Sequence, residues 1–360
     1  MRMYSFSDYT DCNLCPRLCG IDRTAGETGF CRQSDRMVLS CATRHYGEEP
    51  PLIGAVDGGG GSGTLFFSGC TLRCGFCQNR QLSRSEVGRD ISQSEFVEIC
   101  LELQRQGAEN INLVSATPFT PSLEAGIAAA RTAGLVLPVV WNSSGYELPE
   151  VVERLSGFVD IFLPDLKLLD PQLSGRLCAA ADYPDRAKES IKRMAALRPA
   201  WHPPGSTPGG TIIRHLVLPG LLEETRRVLE WFAGEVKERA LLSLMVQFAV
   251  PEHGRPAAGS AHHSGNSTAG QAAAGPAAPA FRASQAWRRG VSALENRPLT
   301  AAEYDRLLQW LDELEIDEGY IQEPGDEEVW WPDFNRPNPF PPEYSKVVWS
   351  WTEGFGGTEG

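Results

Sequence analysis

At 360 residues, with 42% apolar and 22% charged side chains, the chain has the composition of a globular protein and the length for one large domain or two ordinary ones. Its 46 acidic against 33 basic residues, a net charge of −13, argue against a nucleic-acid partner, because phosphate binding needs a surplus of Lys and Arg. The N-terminal residues lack the apolar core of a signal peptide and no run of about 18 apolar residues occurs, so no membrane span and a cytoplasmic location are expected.

Ten cysteines in such a chain are expected as metal ligands sooner than as disulfides, and seven of them fall into two tight groups. The first group is Cys12, Cys15, Cys19 and Cys31, spaced C-x2-C-x3-C-x11-C, with Pro16, Gly20, Gly26 and Gly29 supplying turns. Four thiolates close the coordination of a metal. A structural zinc and an accessory, fully ligated Fe–S cluster both accept such a set, and the spacing does not separate them. A strand is expected at 36–41, with Cys41 read as a small buried hydrophobe and His45 as a structural histidine. The glycine tract 58–63 lacks the Gly-Lys-Ser/Thr ending of a phosphate loop and precedes its strand; it is read as a flexible approach that lets the backbone pass near the second cysteine group.

That second group, Cys70, Cys74 and Cys77, follows the apolar run Thr64–Ser68 in the stretch G-C-T-L-R-C-G-F-C-Q-N. Three converging thiolates can hold three irons of a 4Fe–4S cluster and leave the fourth iron open. A structural zinc asks for four ligands in paired knuckles, and no fourth Cys or His follows closely, so the spacing favours the cluster.

From Thr64 on, strand-like and helix-like segments alternate. Strands are expected at 64–68, 110–116, 137–142, 159–167, 211–219 and 241–248. Helices are expected at 92–106, 121–133, 149–155, 185–197, 222–236 and 301–316, the last with Tyr304, Leu307, Leu308, Leu311 and Leu314 inward. Such β-α repeats call for a parallel α/β sheet, and six units rather than eight suggest a partial (β/α)6 barrel of TIM type with chemistry at its C-terminal strand ends. The expected organisation is a Cys-rich extension (1–60), the barrel (61–250), a disordered Ala/Gly/Pro insertion (251–290), a helix completing the barrel (291–325) and an acidic Trp/Pro-rich tail (326–360).

Polar residues gather at the strand ends: Thr117 in S-A-T-P, Asn142, Ser143 and Ser144 in N-S-S-G-Y-E, Asp165 and Lys167 in P-D-L-K, and Arg214-His215 in the fifth strand. Period-two alternation lets only one of Arg214 and His215 face inward. Together with C-x-L-C-P-R-x-C, E-E-P-P and the C-x3-C-x-aromatic-C hallmark, these segments make residues 12–248 and the helix near 301–316 resemble the radical S-adenosylmethionine (SAM) superfamily, in an Fe–S branch allied to the pyruvate formate-lyase activating enzymes. The resemblance implies a 4Fe–4S cluster on Cys70, Cys74 and Cys77, and SAM contacted by Phe76, Asn79, Asn142, Ser143, Ser144, Asp165, Lys167 and His215. The family's G-G-E run, which holds the SAM amino group, is here S-A-T-P, so Thr117 and backbone carbonyls are expected to serve instead. It further implies reductive SAM cleavage to a 5′-deoxyadenosyl radical, a protein or peptide substrate of the glycyl-radical type, and a flavodoxin- or ferredoxin-type electron donor. The rival reading is a non-enzymatic Fe–S or zinc protein that carries electrons or scaffolds an assembly.

Overall fold

The computed structural model describes residues 9–54, 60–199, 210–248, 294–295, 297–324 and 331–356. Strand β1 (Met37–His45) runs antiparallel to β2 (Ser62–Phe67), and β3 (Arg89–Ile91) pairs with the start of β1. One-turn helices α1 (Pro50–Ile53) and α2 (Arg80–Ser83) lie on either side of β2 in the chain. From β2 the sheet continues parallel through β4 (Ile111–Val114), β5 (Val139–Ser143), β6 (Ile161–Pro164), β7 (Gly210–Leu216), β8 (Leu241–Met245) and β9 (Gly319–Ile321). Helices α3 (Gln93–Arg105), α4 (Thr120–Thr132), α5 (Pro149–Leu155), α6 (Pro171–Leu177), α7 (Tyr183–Leu197), α8 (Leu222–Glu235) and α9 (Ala301–Glu313) connect these strands. The six expected strands are therefore present, in chain order and parallel, and β9 adds one more after α9. Among the described residues the two end strands of the sheet do not pair, so the barrel is open.

Local chemistry sets the element ends. The Ser92 hydroxyl caps α3 by accepting from the Glu95 N–H at 3.1 Å, and Thr300 with Glu303 forms a capping box on α9. Alternation along the strands divides the side chains into two faces. Trp141, Phe162 and Leu113 point outward into one helix-backed core, and Ile213, Leu242 and Leu244 into another. Val140, Ile161, Leu163, Ile212 and Leu241 point inward and close around Leu52 of α1, which is fully buried. The Glu-Glu-Pro-Pro segment thus plugs the barrel from within, and truncating Leu52 is expected to cost about 2–5 kcal/mol.

Three expectations need correction. Of the glycine tract, residues 60–63 are described; they lie at the N-terminal end of β2, away from Cys70, and closely approach residues 107–110, where a Cβ on Gly63 would stand 2.3 Å from the Asn110 carbonyl, while residues 58 and 59 lie outside the described residues. On α9 the buried residues are Leu307 and Trp310, while Leu308 is 41% exposed, because the contact stripe runs through positions 307, 310 and 311 rather than 308. The C-terminal segment joins the sheet. β10 (Ser345–Ser350) pairs with β1 and with β11 (Gly354–Phe355), and Trp349 is fully buried with its indole N–H on Glu95. The insertion expected at 251–290 and Trp330 lie outside the described residues.

Candidate functional site

The C-terminal end of β2 leads through Ser68 and Gly69 into the cysteine loop. Gly69 has φ +89°, and a Cβ there would sit 2.5 Å from the Gln33 side chain, so both backbone and space demand glycine. Arg73, 4% exposed, holds the loop from inside. Its guanidinium donates to the carbonyls of Cys70 (2.8 Å), Leu72 (2.9 Å), Ser83 (2.7 Å) and Phe30. Backbone bonds from Arg73 N to Cys178 O (3.1 Å) and from Gly75 N to Leu177 O (2.8 Å) pin the loop to the end of α6.

This seat leaves Cys70, Cys74 and Cys77 half-buried. Burial and then the neighbouring Cys74 push Cys70 up, a hydrogen bond with the Cys178 thiol and then burial raise Cys74, and burial with the charges of Cys74 and Cys70 takes Cys77 to about 12. The positive charge of Lys167 works against all three shifts. Three thiols that sense one another and one shared ammonium are an arrangement suited to a polynuclear thiolate ligand site, where the bound group replaces the protons. The residues present fit a 4Fe–4S cluster.

The strand ends complete the site. Lys167 Nζ donates to Asp165 Oδ2 at 2.5 Å. Burial opposes the ammonium charge, but Asp165 overrides it and keeps the lysine protonated. The Tyr183 hydroxyl accepts from the Lys167 N–H at 2.9 Å and lies within 2.9 Å of Ser144 O and 2.8 Å of Asp165 O, which ties β5 and β6 ends together. Asn142 stands on the inner face with Val140. Ser143 points outward, its Oγ accepting from Gly145 N–H at 3.2 Å, so only its main chain is on the site's side. Phe76 is 5% exposed and packs in the core cluster that includes Tyr146, while Asn79 sits at the start of α2.

His215 is a correction. It is the outward member of its pair, 2% exposed, with Nδ1 at 2.7 Å from Leu166 O and Nε2 at 2.9 Å from Thr225 Oγ1. A carbonyl only accepts, so Nδ1 carries the proton and Nε2 accepts from the threonine. Burial lowers the imidazole to about 4, and it stays neutral. Arg214 is the inward member, donating to Glu49 at 2.7 Å and to Glu48, which also accepts from Asn112 at 3.0 Å.

Thr117 is 4% exposed and its hydroxyl donates to Glu147 Oε1 at 2.9 Å. Glu147 is fully buried, and burial raises it to about 7 against the lowering effect of Thr117, Ser143 and Trp141 beside it. Sequence reasoning quoted this glutamate at the end of N-S-S-G-Y-E without assigning it. It missed Cys178 altogether; only the α6 contact brings that thiol to Cys74, and nothing in the spacing points to it.

The first cysteine group packs directly on this loop. Cys12, Cys15, Cys19 and Cys31 line one small pocket, partly open to solvent, together with Arg17, Arg23, Phe30, Thr71 and Thr117. Among the described residues no three His, Cys, Asp or Glu side chains, in either cysteine group or elsewhere, are drawn together closely enough to hold a metal ion as they stand.

The radical SAM superfamily profile matches residues 64–232, which span the cysteine loop and the strands that carry Asn142, Asp165 and Lys167. An uncharacterised protein of Methanocaldococcus jannaschii is 30% identical over 252 residues, 68% of each chain. This chain belongs to the radical SAM superfamily. Membership makes it an enzyme and implies SAM and a 4Fe–4S cluster as its cofactors. Similar solved structures include Streptococcus suis SuiB bound to S-adenosylmethionine, at TM-score 0.42 and 12% identity over 71% of this chain and 48% of that one. A domain of pyruvate-formate lyase-activating enzyme from Bacteroides vulgatus aligns at TM-score 0.35 and 12% identity, over 57% of this chain and 91% of the domain. The alignment spans about half the length of the SuiB chains. Among the described residues no helix of this radical SAM protein is long and apolar enough to cross a membrane.

Proposed function

We propose that this radical SAM enzyme activates a protein or modifies a peptide, in the manner of the pyruvate formate-lyase activating enzymes, using electrons from a low-potential flavodoxin or ferredoxin in the cytoplasm. The observation that carries the reading is the placement of Cys70, Cys74 and Cys77 at the C-terminal end of the first parallel strand, under the charge of Lys167. When bound, the cluster supplies the electron that splits SAM into methionine and a 5′-deoxyadenosyl radical.

The chain's own residues do the rest. The three thiolates hold the cluster with one iron open, and Arg73 keeps their loop in shape. Asp165 and Lys167, at the mouth of β6, supply a charge pair for the methionine end of SAM, with Asn142 and the Ser144 main chain on the next strand for its polar edges. Thr117 and the backbone carbonyls of the S-A-T-P turn take the SAM amino group, with the buried Glu147 accepting from the Thr117 hydroxyl behind them. Phe66 and Val114 line the adjoining inner face with the Phe334 and Phe340 rings of the C-terminal segment, an apolar wall that keeps water from a reactive species. Cys12, Cys15, Cys19 and Cys31 hold a second metal centre, a cluster or zinc.

Anaerobic reconstitution with iron and sulfide, followed by dithionite and SAM, is expected to release 5′-deoxyadenosine, with a Cys74→Ala control silent. No product from fully reconstituted wild type would sink the reading.

A further inference from the structure

We propose that Cys178 is a positioning residue for the cluster on Cys70, Cys74 and Cys77: its thiol donates a hydrogen bond to the iron-bound sulfur of Cys74 and makes the cluster easier to reduce. The proposal rests on the reading above for the cluster alone, and on nothing about the substrate.

The backbone sets the position. Two main-chain bonds, Arg73 N to Cys178 O at 3.1 Å and Gly75 N to Leu177 O at 2.8 Å, bracket Cys74 and clamp it against the end of α6. Cys178 is itself fixed, because its N–H donates to Ser174 O at 2.9 Å as the last turn of that helix closes. Ala179 then turns the chain in left-handed backbone, φ 58°, a conformation that costs a residue with a β-carbon and holds only where its surroundings impose it. The contact therefore belongs to the main chain of both segments and does not depend on a side-chain rotamer.

The thiol so placed is fully buried in an apolar cluster, and Cys70 and Cys74 pack against that same cluster. Cys41 and Cys100 are equally buried, but their clusters contain no other cysteine. The Cys178 and Cys74 thiols are hydrogen-bonded to each other. With iron on the Cys74 sulfur that atom can only accept, so the one proton between the two sulfurs belongs to Cys178. Each ligand sulfur then has a donor group at hand. Cys70 Sγ accepts from the Leu72 N–H at 3.4 Å, Cys77 has the Ser83 hydroxyl beside it, and Cys74 has Cys178. Leu72 and Ser83 come from the loop and from α2 just after it, whereas Cys178 is supplied across the fold by α6. Hydrogen bonds to ligand sulfur favour the reduced, more negative state of an Fe–S cluster, and more so where water is excluded.

The test uses the full chain reconstituted anaerobically with iron and sulfide. The reduced-state EPR signal that disappears in Cys77→Ala belongs to this cluster, and its midpoint is found by potentiometric titration. Cys178→Ala and Cys178→Val are expected to keep that signal and the wild-type iron count, and to lower the equilibrium constant for reduction about fivefold, the worth of one ordinary hydrogen bond. Cys178→Ser keeps a donor and should stay nearer to wild type than either. An unchanged midpoint in the alanine and valine variants overturns the proposal and leaves Cys178 as packing. Equal shifts in all three variants overturn the hydrogen bond. A loss of about four irons in Cys178→Ala overturns it in another way, by making the residue a ligand. Wild type with no Cys77-dependent signal would overturn the proposal together with the cluster. A normal titration without 5′-deoxyadenosine formation would fault the proposed function, and the midpoint comparison would still decide the role of Cys178.

Discussion

The two cysteine groups are built on opposite plans. The three-thiol loop hangs from the end of a parallel strand, is gripped from within by Arg73 and is braced by α6, so its backbone is dictated by the barrel. The four-thiol segment has only the short 3-10 turn Arg23–Ala25 as regular structure and places two non-glycine residues, Leu18 (φ 43°) and Arg32 (φ 61°), in left-handed backbone. A loop organised by the fold can leave a ligand position open. A segment without a scaffold needs its metal fully ligated to be ordered at all, as small metal knuckles do. The barrel thus fixes the three-thiol loop from several sides, whereas the four-thiol segment has little regular structure of its own to hold it.

The largest effect separating the two groups is on SAM cleavage. Cys77→Ala is expected to abolish 5′-deoxyadenosine formation with dithionite, whereas Cys15→Ala should leave product measurable by chromatography. Equal loss in both would erase the distinction. Next come the two buried arginines. Arg73→Met strands several buried carbonyls and is expected to lower global stability by about 4 kcal/mol in urea titration. Arg23→Met should lower it less, because the knuckle can open locally; faster amide exchange confined to residues near 12–34 would show this.

Glu147 sharpens the picture of the barrel mouth. Its folded value, about 7, lies above the ordinary 4.5, so the native protein keeps a proton that the unfolded chain has released. Stability is therefore lost as pH rises from about 4.5 to about 7, by on the order of 3 kcal/mol, and Glu147→Gln should flatten that dependence in thermal scans across the window. A wild-type profile with no such slope would mean that the carboxyl is paired when charged. The smallest change is Gly29→Ala, whose methyl would meet Cys19 Sγ; a loss of about 1–3 kcal/mol is expected, together with weaker metal retention by the knuckle on chelator titration.

Much of this was legible in the residue order, for local reasons. Ligand spacing such as C-x3-C-x2-C is a property of one loop, and hydrophobic periodicity is a property of one helix or strand. The six parallel strands and the full extent of α5 at Pro149–Leu155 follow from such signals. Alternation also showed that only one of Arg214 and His215 could face inward. It could not say which, because that depends on register against β6 and on the Thr225 hydroxyl waiting on α8.

By itself, then, the sequence determined the cysteine spacings, the β-α alternation and the polar strand ends, each set by neighbours a few residues apart. The tertiary structure decided what distant segments share. It put Cys178 against Cys74, Glu147 against Thr117, Leu52 inside the barrel and Trp349 under β1's edge. It also set the four-cysteine segment on the wall of the three-cysteine loop. Those contacts form only when the sheet closes far enough to bring strand ends together, and no local pattern encodes how far a sheet will close.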